Sequence, residues 1–159
     1  MDSFDEMLDK GLKICAQRMR PLFFRTPAGE KVELSVTDIN IARPQVPLSV
    51  IDVKERYIFP TEARQLHNTY AGMCSVRIAC QVNGLEMAPV DVDLGPVPIM
   101  LKSKACNLHN LSPEQMVDRG EHDTDWGGIF IIKGNEKIIR MLLMSRRNFP
   151  IAVKRSTWK

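Results

Sequence analysis

The chain is poor in the residues that build disulfide frameworks, zinc knuckles and histidine-based active sites. Its 159 residues include 4 cysteines and 3 histidines, and no two cysteines form a C-x-x-C pair. We therefore expect reduced thiols, as in an intracellular compartment, rather than a disulfide framework. The sequence also lacks a Walker loop, a G-x-S-x-G elbow and an HExxH motif. With these motifs missing, we expect no self-sufficient active site.

Long apolar runs and a basic leader are lacking as well. No apolar stretch approaches the roughly 20 residues needed to span a bilayer, and the acidic N-terminus contains no secretory signal. With 44% hydrophobic and 26% charged residues, the composition is that of a globular protein. The length predicts a single domain over residues 1–159. Because the sequence stops on a basic stretch with no closing element, we expect that domain to be part of a longer protein.

Periodic apolar residues predict an α+β fold. Three- and four-residue spacing predicts an amphipathic helix over residues 3–19, with Ser3 and Glu6 forming a capping box. The Asn83-Gly84 pair is a strong hairpin signal. Alternation of polar and apolar residues predicts strands at 32–36, 74–82, 85–94, 97–101 and 129–132.

Two short helices complete the predicted fold. One lies within residues 54–72, and the other runs from Pro113 to about residue 119 with Ser112 as its cap. The expected architecture is an N-terminal helix followed by a mixed, mostly antiparallel sheet with short helices.

Positive charge is concentrated at the C-terminal end. Residues 133–159 contain eight Lys or Arg and one acid, Glu136, which is +7 on a chain whose formal net charge is +3. The first 132 residues therefore carry −4, and an anionic polymer is the first partner to consider. Basic side chains interleaved with apolar ones suit phosphate contacts. The candidate nucleic-acid-binding residues are Arg140, Arg146, Arg147, Lys154 and Arg155. Composition leaves open a second interpretation, in which this stretch is a solvated basic face or a truncated core segment.

Two spacings are compatible with metal binding. Cys106 and His109 form a C-x-x-H pair, but the other half of a zinc site would have to come from cysteines that form no second knuckle. Buried apolar thiols are the commoner outcome. Asp91 and Asp93 form a D-x-D pair that suits Mg²⁺, although alternation in a hairpin arm places both on one solvent face. We favour the structural interpretation of both spacings.

Three segments, taken together, resemble the second-largest subunit of multisubunit DNA-directed RNA polymerases. The first is Pro60-Thr61-Glu62-Ala63-Arg64 followed by Thr69-Tyr70, which resembles the P-x-E-A-R…T-Y motif of that family. The second, at 97–106, reads VPIMLKSKAC and is similar to V-P-I-M-L-R-S-x-x-C. The third, at 127–137, reads GGIFIIKGNEK and is close to G-G-Y-F-I-I-N-G-x-E-K. Their order and separations make the combination specific, although each segment alone is modest.

The stretch after the third segment resembles the polymerase I members of that family, which transcribe ribosomal RNA precursor. Residues 138–143 and 146–152 read IIRMLL and RRNFPIA, similar to I-R-M-L…R-R-N-x-P-x-A. Polymerase II subunits typically continue with V-L-I-A-Q-E instead. The M-L-D-x-G-L of the opening helix also resembles the start of the polymerase I subunit.

The resemblance implies a location and a set of partners. By resemblance, the chain is the N-terminal part of the protrusion domain, one wall of the DNA cleft in a much longer subunit. The implied partners are the largest and smaller subunits of RNA polymerase I, the DNA template with the RNA–DNA hybrid, and initiation factors, without a membrane. The implied location is the nucleus and nucleolus. Catalytic Mg²⁺ would be bound mainly by the largest subunit, so we expect no cofactor in this chain and no activity from it alone.

A second function is compatible with the same residues. A basic stretch suits an acidic protein as well as DNA. The alternative is therefore a protein-interaction module that docks an initiation factor or a neighbouring polymerase subunit without nucleic-acid contact. We expect Glu62 and Arg64 to serve as a structural ion pair or loop anchor, and a direct nucleic-acid contact of Arg64 is the less favoured alternative.

Overall fold

The N-terminal residues form one continuous helical segment, as the sequence predicted. The segment comprises α1 (Asp2–Glu6), a π-helical turn (Met7–Gly11) and α2 (Leu12–Arg18). It begins earlier than expected, with Met1 as N-cap and no side-chain capping bond, so the capping box predicted at Ser3 was wrong. The computed structural model describes residues 1–46, 50–51, 54–140, 142, 144, 146–150, 152–154 and 157.

Five antiparallel strands form the main sheet. They are β1 (Leu22–Arg25), β2 (Lys31–Ile41), β3 (Ala71–Val82), β4 (Leu85–Glu86) and β5 (Val90–Pro98). β2 lies between β1 and β3, while β3 pairs with β5 along most of its length and with β4 at its end. A separate antiparallel hairpin consists of β6 (Phe130–Ile132) and β7 (Asn135–Lys137). The predicted α+β class is confirmed.

β5 runs through the Gly-Pro pair at 95–96, where the sequence predicted a break. The register against β3 shifts there and leaves Leu94 as the extra residue of a β-bulge. Gly95 has a φ of +134°, a conformation that glycine adopts at no steric cost. Because β5 ends at Pro98, the strand predicted over 97–101 was wrong beyond that residue.

Two short helices lie between the strands. α3 (Pro60–Gln65) precedes β3, and α4 (Pro113–Asp118) follows β5. The predicted cap of α4 is confirmed, because Ser112 Oγ accepts from the backbone N–H of Gln115 at 3.3 Å while the Gln115 side chain accepts from Ser112 N at 3.0 Å. Among the helices that the structure describes, none is long and apolar enough to cross a membrane.

An apolar cluster joins α3, the end of β5 and the β6–β7 hairpin. The helical segment packs against it through Phe4, whose ring meets Phe130 edge to face with centroids 5.7 Å apart. The buried members of the cluster are Phe59, Ala63, Tyr70, Ile99, Leu101, Ala105, Cys106, Leu108 and Ile131. That one domain covers all of residues 1–159 stays a prediction.

Tyr70 lies at the centre of this cluster and is fully buried. Its backbone N–H donates to Ile131 O, and its carbonyl accepts from Ile99 N, each at 3.0 Å. The hydroxyl accepts from Asn107 N at 3.0 Å and lies 3.4 Å from Cys106 Sγ. Burial, together with the nearby Cys106 thiol, raises the pKa of the Tyr70 hydroxyl. One residue therefore connects β6, Ile99 immediately after β5, and the turns that follow.

Replacement of Gly72 should destabilise the sheet, because β3 passes close to the backbone that follows β2. A Cβ at Gly72 would lie 1.8 Å from Ala42 O, so Gly72→Ala is expected to lower the free energy of unfolding by at least about 1–3 kcal/mol. Gly11 is the matched control, since its Cβ would meet nothing closer than 3.5 Å. Gly11→Ala should raise the free energy of unfolding by about 0.5–1 kcal/mol, because alanine favours a helix more than glycine does. Urea titration followed by far-UV circular dichroism measures both, and a Gly72→Ala chain of wild-type stability would contradict the packing.

Removal of the Tyr70 hydroxyl should cost stability and also change its pH dependence. Tyr70→Phe leaves the buried N–H of Asn107 without its acceptor, which costs about 1–3 kcal/mol. The Tyr70 hydroxyl ionises at about pH 10 in the unfolded chain, whereas burial raises its pKa in the folded chain. The stability from the buried phenol is therefore fully present below about pH 10 and is lost as the pH rises further. Urea midpoints measured between neutral and strongly alkaline pH should fall more steeply for wild type than for Tyr70→Phe; parallel curves would exclude this role.

Candidate functional site

Arg64 joins α3 to two distant parts of the chain. Its Nη1 lies 2.9 and 2.7 Å from the carboxylate oxygens of Glu121, and its Nε donates to Glu136 Oε1 at 2.9 Å. The side chain of Glu121 is 3% exposed and that of Arg64 is 27% exposed. Burial acts to lower the pKa of Arg64, but hydrogen bonds to the two carboxylates outweigh it, and the pKa is raised. Arg64 therefore stays charged and neutralises a carboxylate that would otherwise be buried alone.

The other polar residues of the P-T-E-A-R segment also act as anchors. Glu62 Oε2 accepts from Phe59 N at 3.1 Å and caps α3. Thr61 Oγ1 lies within hydrogen-bonding distance of both Gly120 O, at 3.1 Å, and the Glu121 carboxylate. The expectation that Glu62 and Arg64 serve as anchors is confirmed, but each binds other partners and they do not form an ion pair with each other.

The paired glycines at 127–128 bring the second and third polymerase-like segments together. Leu101 N donates to Ile129 O at 2.9 Å, and Gly128 N donates to Leu101 O at 3.0 Å. A Cβ at Gly127, where φ is +67°, would lie 2.8 Å from that same Leu101 carbonyl oxygen. A side chain does not fit here, so glycine is required for the two segments to pair.

The basic segment, which we define as the described residues from 140 to 154, follows β7. Arg140, Arg146, Arg147 and Lys154 are exposed, whereas Arg155 lies outside the described residues. In the part of the chain that the structure describes, no carboxylate is ion-paired with any of these four cations. These four cations do not pack against the buried core residues that the structure describes. The structure places them along one exposed stretch, where an external anion can reach them.

Two of the residues with metal-compatible spacing, Cys106 and Asp91, have structural partners. Cys106 is buried beside Tyr70 in the core. Asp91 pairs across the strands with Arg77, whose Nε donates to Asp91 Oδ1 at 2.7 Å, and this hydrogen bond lowers the pKa of Asp91. Asp93 is exposed on the same strand. Among the described residues, no group of three or more His, Cys, Asp or Glu is placed to hold a metal ion.

A second positive region was not identified from the sequence. Residues 10–33 contain six Lys or Arg and two acids, which is a local excess of four positive charges. The four acids within residues 2–9 cancel this excess when the charge is totalled over residues 1–132. In the structure, Arg25 and Lys31 are cross-strand neighbours in the β1–β2 hairpin. A charge count in short windows would have found this region.

Loss of the Arg64 guanidinium should destabilise the fold strongly. Arg64→Ala leaves Glu121 buried without its cation, which should lower the free energy of unfolding by about 3 kcal/mol. This is the lower end of the range for buried pairs, because the Arg64 side chain partly reaches solvent. Arg77→Ala is the control, since it breaks an ion pair with both side chains exposed and should change stability little. Urea titration compares the two variants, and losses of similar size would show that the Arg64 pair has no special role.

Comparisons with known proteins agree with the resemblance of the three segments. A family model described as RNA polymerase beta subunit matches residues 1–146. The chain is 60% identical to DNA-directed RNA polymerase I subunit RPA2 of Drosophila melanogaster and 41% identical to that of Homo sapiens, each over 159 residues. It is 38% identical over 160 residues to the RPA2 homolog of Caenorhabditis elegans.

These alignments cover 100% of the chain but only 14% of the length of each of the three relatives. The matched region contains α3, the turns after β5 and the β6–β7 hairpin, the elements that Arg64 and Tyr70 hold together. The chain belongs to the RNA polymerase beta subunit family.

Proposed function

We propose that this chain is the N-terminal protrusion portion of the second-largest subunit of DNA-directed RNA polymerase I. In this role it forms a wall of the DNA cleft and supports DNA-templated synthesis of ribosomal RNA precursor. Similarity to polymerase I subunits over the whole chain supports this role. The observation that carries the nucleic-acid contact is the exposed basic segment, whose described cations have no carboxylate partner in the described part of the chain.

The contribution of the chain to the reaction is positional. Arg140, Arg146 and Arg147, with Lys154 and Arg155, contact phosphates and hold the nucleic acid against the wall without reading its sequence. Mg²⁺ supplies the chemistry of phosphoryl transfer when it is bound to the whole enzyme, mainly through the largest subunit. The chain alone is inactive in this proposal and has no cofactor of its own.

The proposed partners follow from the same assignment. They are the largest and smaller subunits of RNA polymerase I, the DNA template, the RNA–DNA hybrid and initiation factors. The proposed location is the nucleus, and within it the nucleolus. The relatives named as polymerase I subunits support the other polymerase subunits as partners and the nucleus as the location.

A second candidate function rests on the apolar residues beside the cations. Ile138 and Ile139 are 70% and 76% exposed and directly precede Arg140. Exposed aliphatic side chains next to positive charge suit a protein partner with an acidic rim and an apolar centre. In this alternative, the same stretch docks an initiation factor or a neighbouring subunit and touches no nucleic acid.

Substitution of the basic segment tests the nucleic-acid contact. The triple variant Arg140→Ala, Arg146→Ala and Arg147→Ala should weaken duplex DNA binding and reduce the slope of log Kd against log salt. Loss of three phosphate contacts changes that slope by about 2.7, because each contact contributes about 0.9 on duplex DNA. Fluorescence anisotropy at several salt concentrations measures the slope for the chain and for the polymerase that contains it.

The matched control removes three exposed cations elsewhere. The variant Lys13→Ala, Lys54→Ala and Arg56→Ala has the same net charge as the test variant. It should leave the slope nearly unchanged if the basic segment makes the contacts. An unchanged slope in the test variant would instead favour the protein-docking alternative, which predicts loss of subunit or factor binding in a pull-down.

A further inference from the structure

The β1–β2 hairpin places two cations side by side. Arg25 on β1 lies directly opposite Lys31 on β2, and like charges in this arrangement destabilise a sheet. Both residues are exposed, and no carboxylate in the described part of the chain forms an ion pair with either. Glu30, the nearest acid along the chain, accepts a hydrogen bond from Thr26 within the turn. An anion bound between the two cations would relieve their repulsion.

An exposed aromatic ring lies on the same side of the hairpin. Successive side chains of a strand alternate between faces, so Phe23 shares a face with Arg25. Phe23 is 68% exposed, an unusual state for a phenylalanine on a strand. Together these residues border an open groove, which is lined by Phe23, Arg25, Lys31, Glu33, Gln81 and Asn83.

The neighbouring turn holds the groove in place. Lys31 N donates to Asn83 Oδ1 at 2.9 Å, and Asn83 N donates to Lys31 O at 2.8 Å. These two bonds tie β2, at the tip of the β1–β2 hairpin, to the turn between β3 and β4. The groove is therefore bordered by two hairpins that are fixed to each other, and it does not need to be assembled by a ligand.

The chemistry of the lining favours one class of ligand. Two cations alone suit any anion, but a basic groove with an exposed aromatic ring is what single strands of nucleic acid need, because bases stack on the ring. Glu33 lies opposite Phe23 and repels phosphate, which confines phosphates to the end at Arg25 and Lys31. A carboxylate beside the ring also accepts hydrogen bonds from the amino groups of bases. An acidic peptide would gain nothing from Glu33 and would not need the ring.

We propose that the exposed face of the β1–β2 hairpin binds single-stranded nucleic acid, with one base stacked on Phe23 and the backbone phosphate between Arg25 and Lys31. Duplex DNA binds less well, because its bases are already stacked and paired. This site is separate in sequence from the basic segment, and it does not depend on the function proposed for that segment.

Anisotropy titration with a short fluorescein-labelled oligo-dC tests the stacked base. All variants are made in the chain that carries Arg140→Ala, Arg146→Ala and Arg147→Ala, so that the basic segment does not mask the hairpin. Phe23→Ala should weaken binding by about tenfold through the loss of one stacked base. Phe23→Trp keeps a flat ring and should retain the affinity. Equal affinity of Phe23→Ala and its parent chain would overturn the proposal.

The salt dependence tests the phosphate contacts. The double variant Arg25→Ala and Lys31→Ala should reduce the slope of log Kd against log salt by up to about 1.4. Each phosphate contact on a single strand contributes about 0.7 to that slope. Lys54→Ala with Arg56→Ala removes the same charge from exposed positions outside the groove and should leave the slope unchanged. Similar slope changes in the two pairs would overturn the assignment.

Two further measurements separate the alternatives. Photocrosslinking of an oligonucleotide that carries 5-iodouracil should modify the peptide containing Phe23, and modification confined to other peptides would exclude the site. If poly-glutamate binds with the same dependence on Arg25 and Lys31 while Phe23→Ala leaves the oligonucleotide affinity unchanged, the hairpin binds an acidic protein segment instead. Far-UV circular dichroism establishes that each variant is folded.

Discussion

The buried ion pair between Arg64 and Glu121 is the constraint on which the arrangement of the other elements depends. A carboxylate that is almost completely enclosed must have a cation within hydrogen-bonding distance, or the fold that encloses it becomes unfavourable. Arg64 supplies that cation from α3 and also binds Glu136 on β7. The position of α3 is therefore fixed relative to the loop after α4 and to the β6–β7 hairpin. An apolar core alone would be less selective, because hydrophobic burial has no direction.

Tyr70 adds the directional bonds that the ion pair does not provide. Its backbone hydrogen bonds link β6 to Ile99, the residue after β5, and its hydroxyl accepts from Asn107 in the turns that follow. The turns at 101–110 contain core residues although they form no helix or strand. Buried backbone groups in such a stretch need partners outside regular structure, and Tyr70, Ile129 and the paired glycines supply several of them. The three polymerase-like segments thus form one structural unit.

This unit and the proposed nucleic-acid contacts have different physical requirements. The core of the unit is buried, and the carboxylate enclosed beside it, Glu121, is neutralised by Arg64. The basic segment and the β1–β2 hairpin keep their cations exposed, where phosphate can replace water. The proposed role as a cleft wall requires both, because cations position a polymer only when a rigid body holds them. The exposed apolar residues at 138–139 also suit the burial of this edge against another protein surface.

The sequence by itself predicted the α+β class, the N-terminal helix, the Asn83-Gly84 hairpin and the cap of α4. Each of these depends on residues close together in the chain, such as Ser112 and Gln115, so a local pattern contains the necessary information. The sequence also identified the family, because three ordered motifs are more specific than any one of them. Composition also predicted the basic C-terminal end but left its exposure open, and the structure shows its described cations exposed.

Only the tertiary structure decided which charges meet. Arg64 lies 57 residues from Glu121 and 72 from Glu136, and no local pattern indicates that these three side chains converge. The bulge that carries β5 past Gly95 depends on its register against β3, and the side-by-side placement of Arg25 and Lys31 depends on the register of a hairpin. Periodicity reports which face of an element is apolar, whereas long-range pairing is decided by how those faces pack and which buried charges they must neutralise.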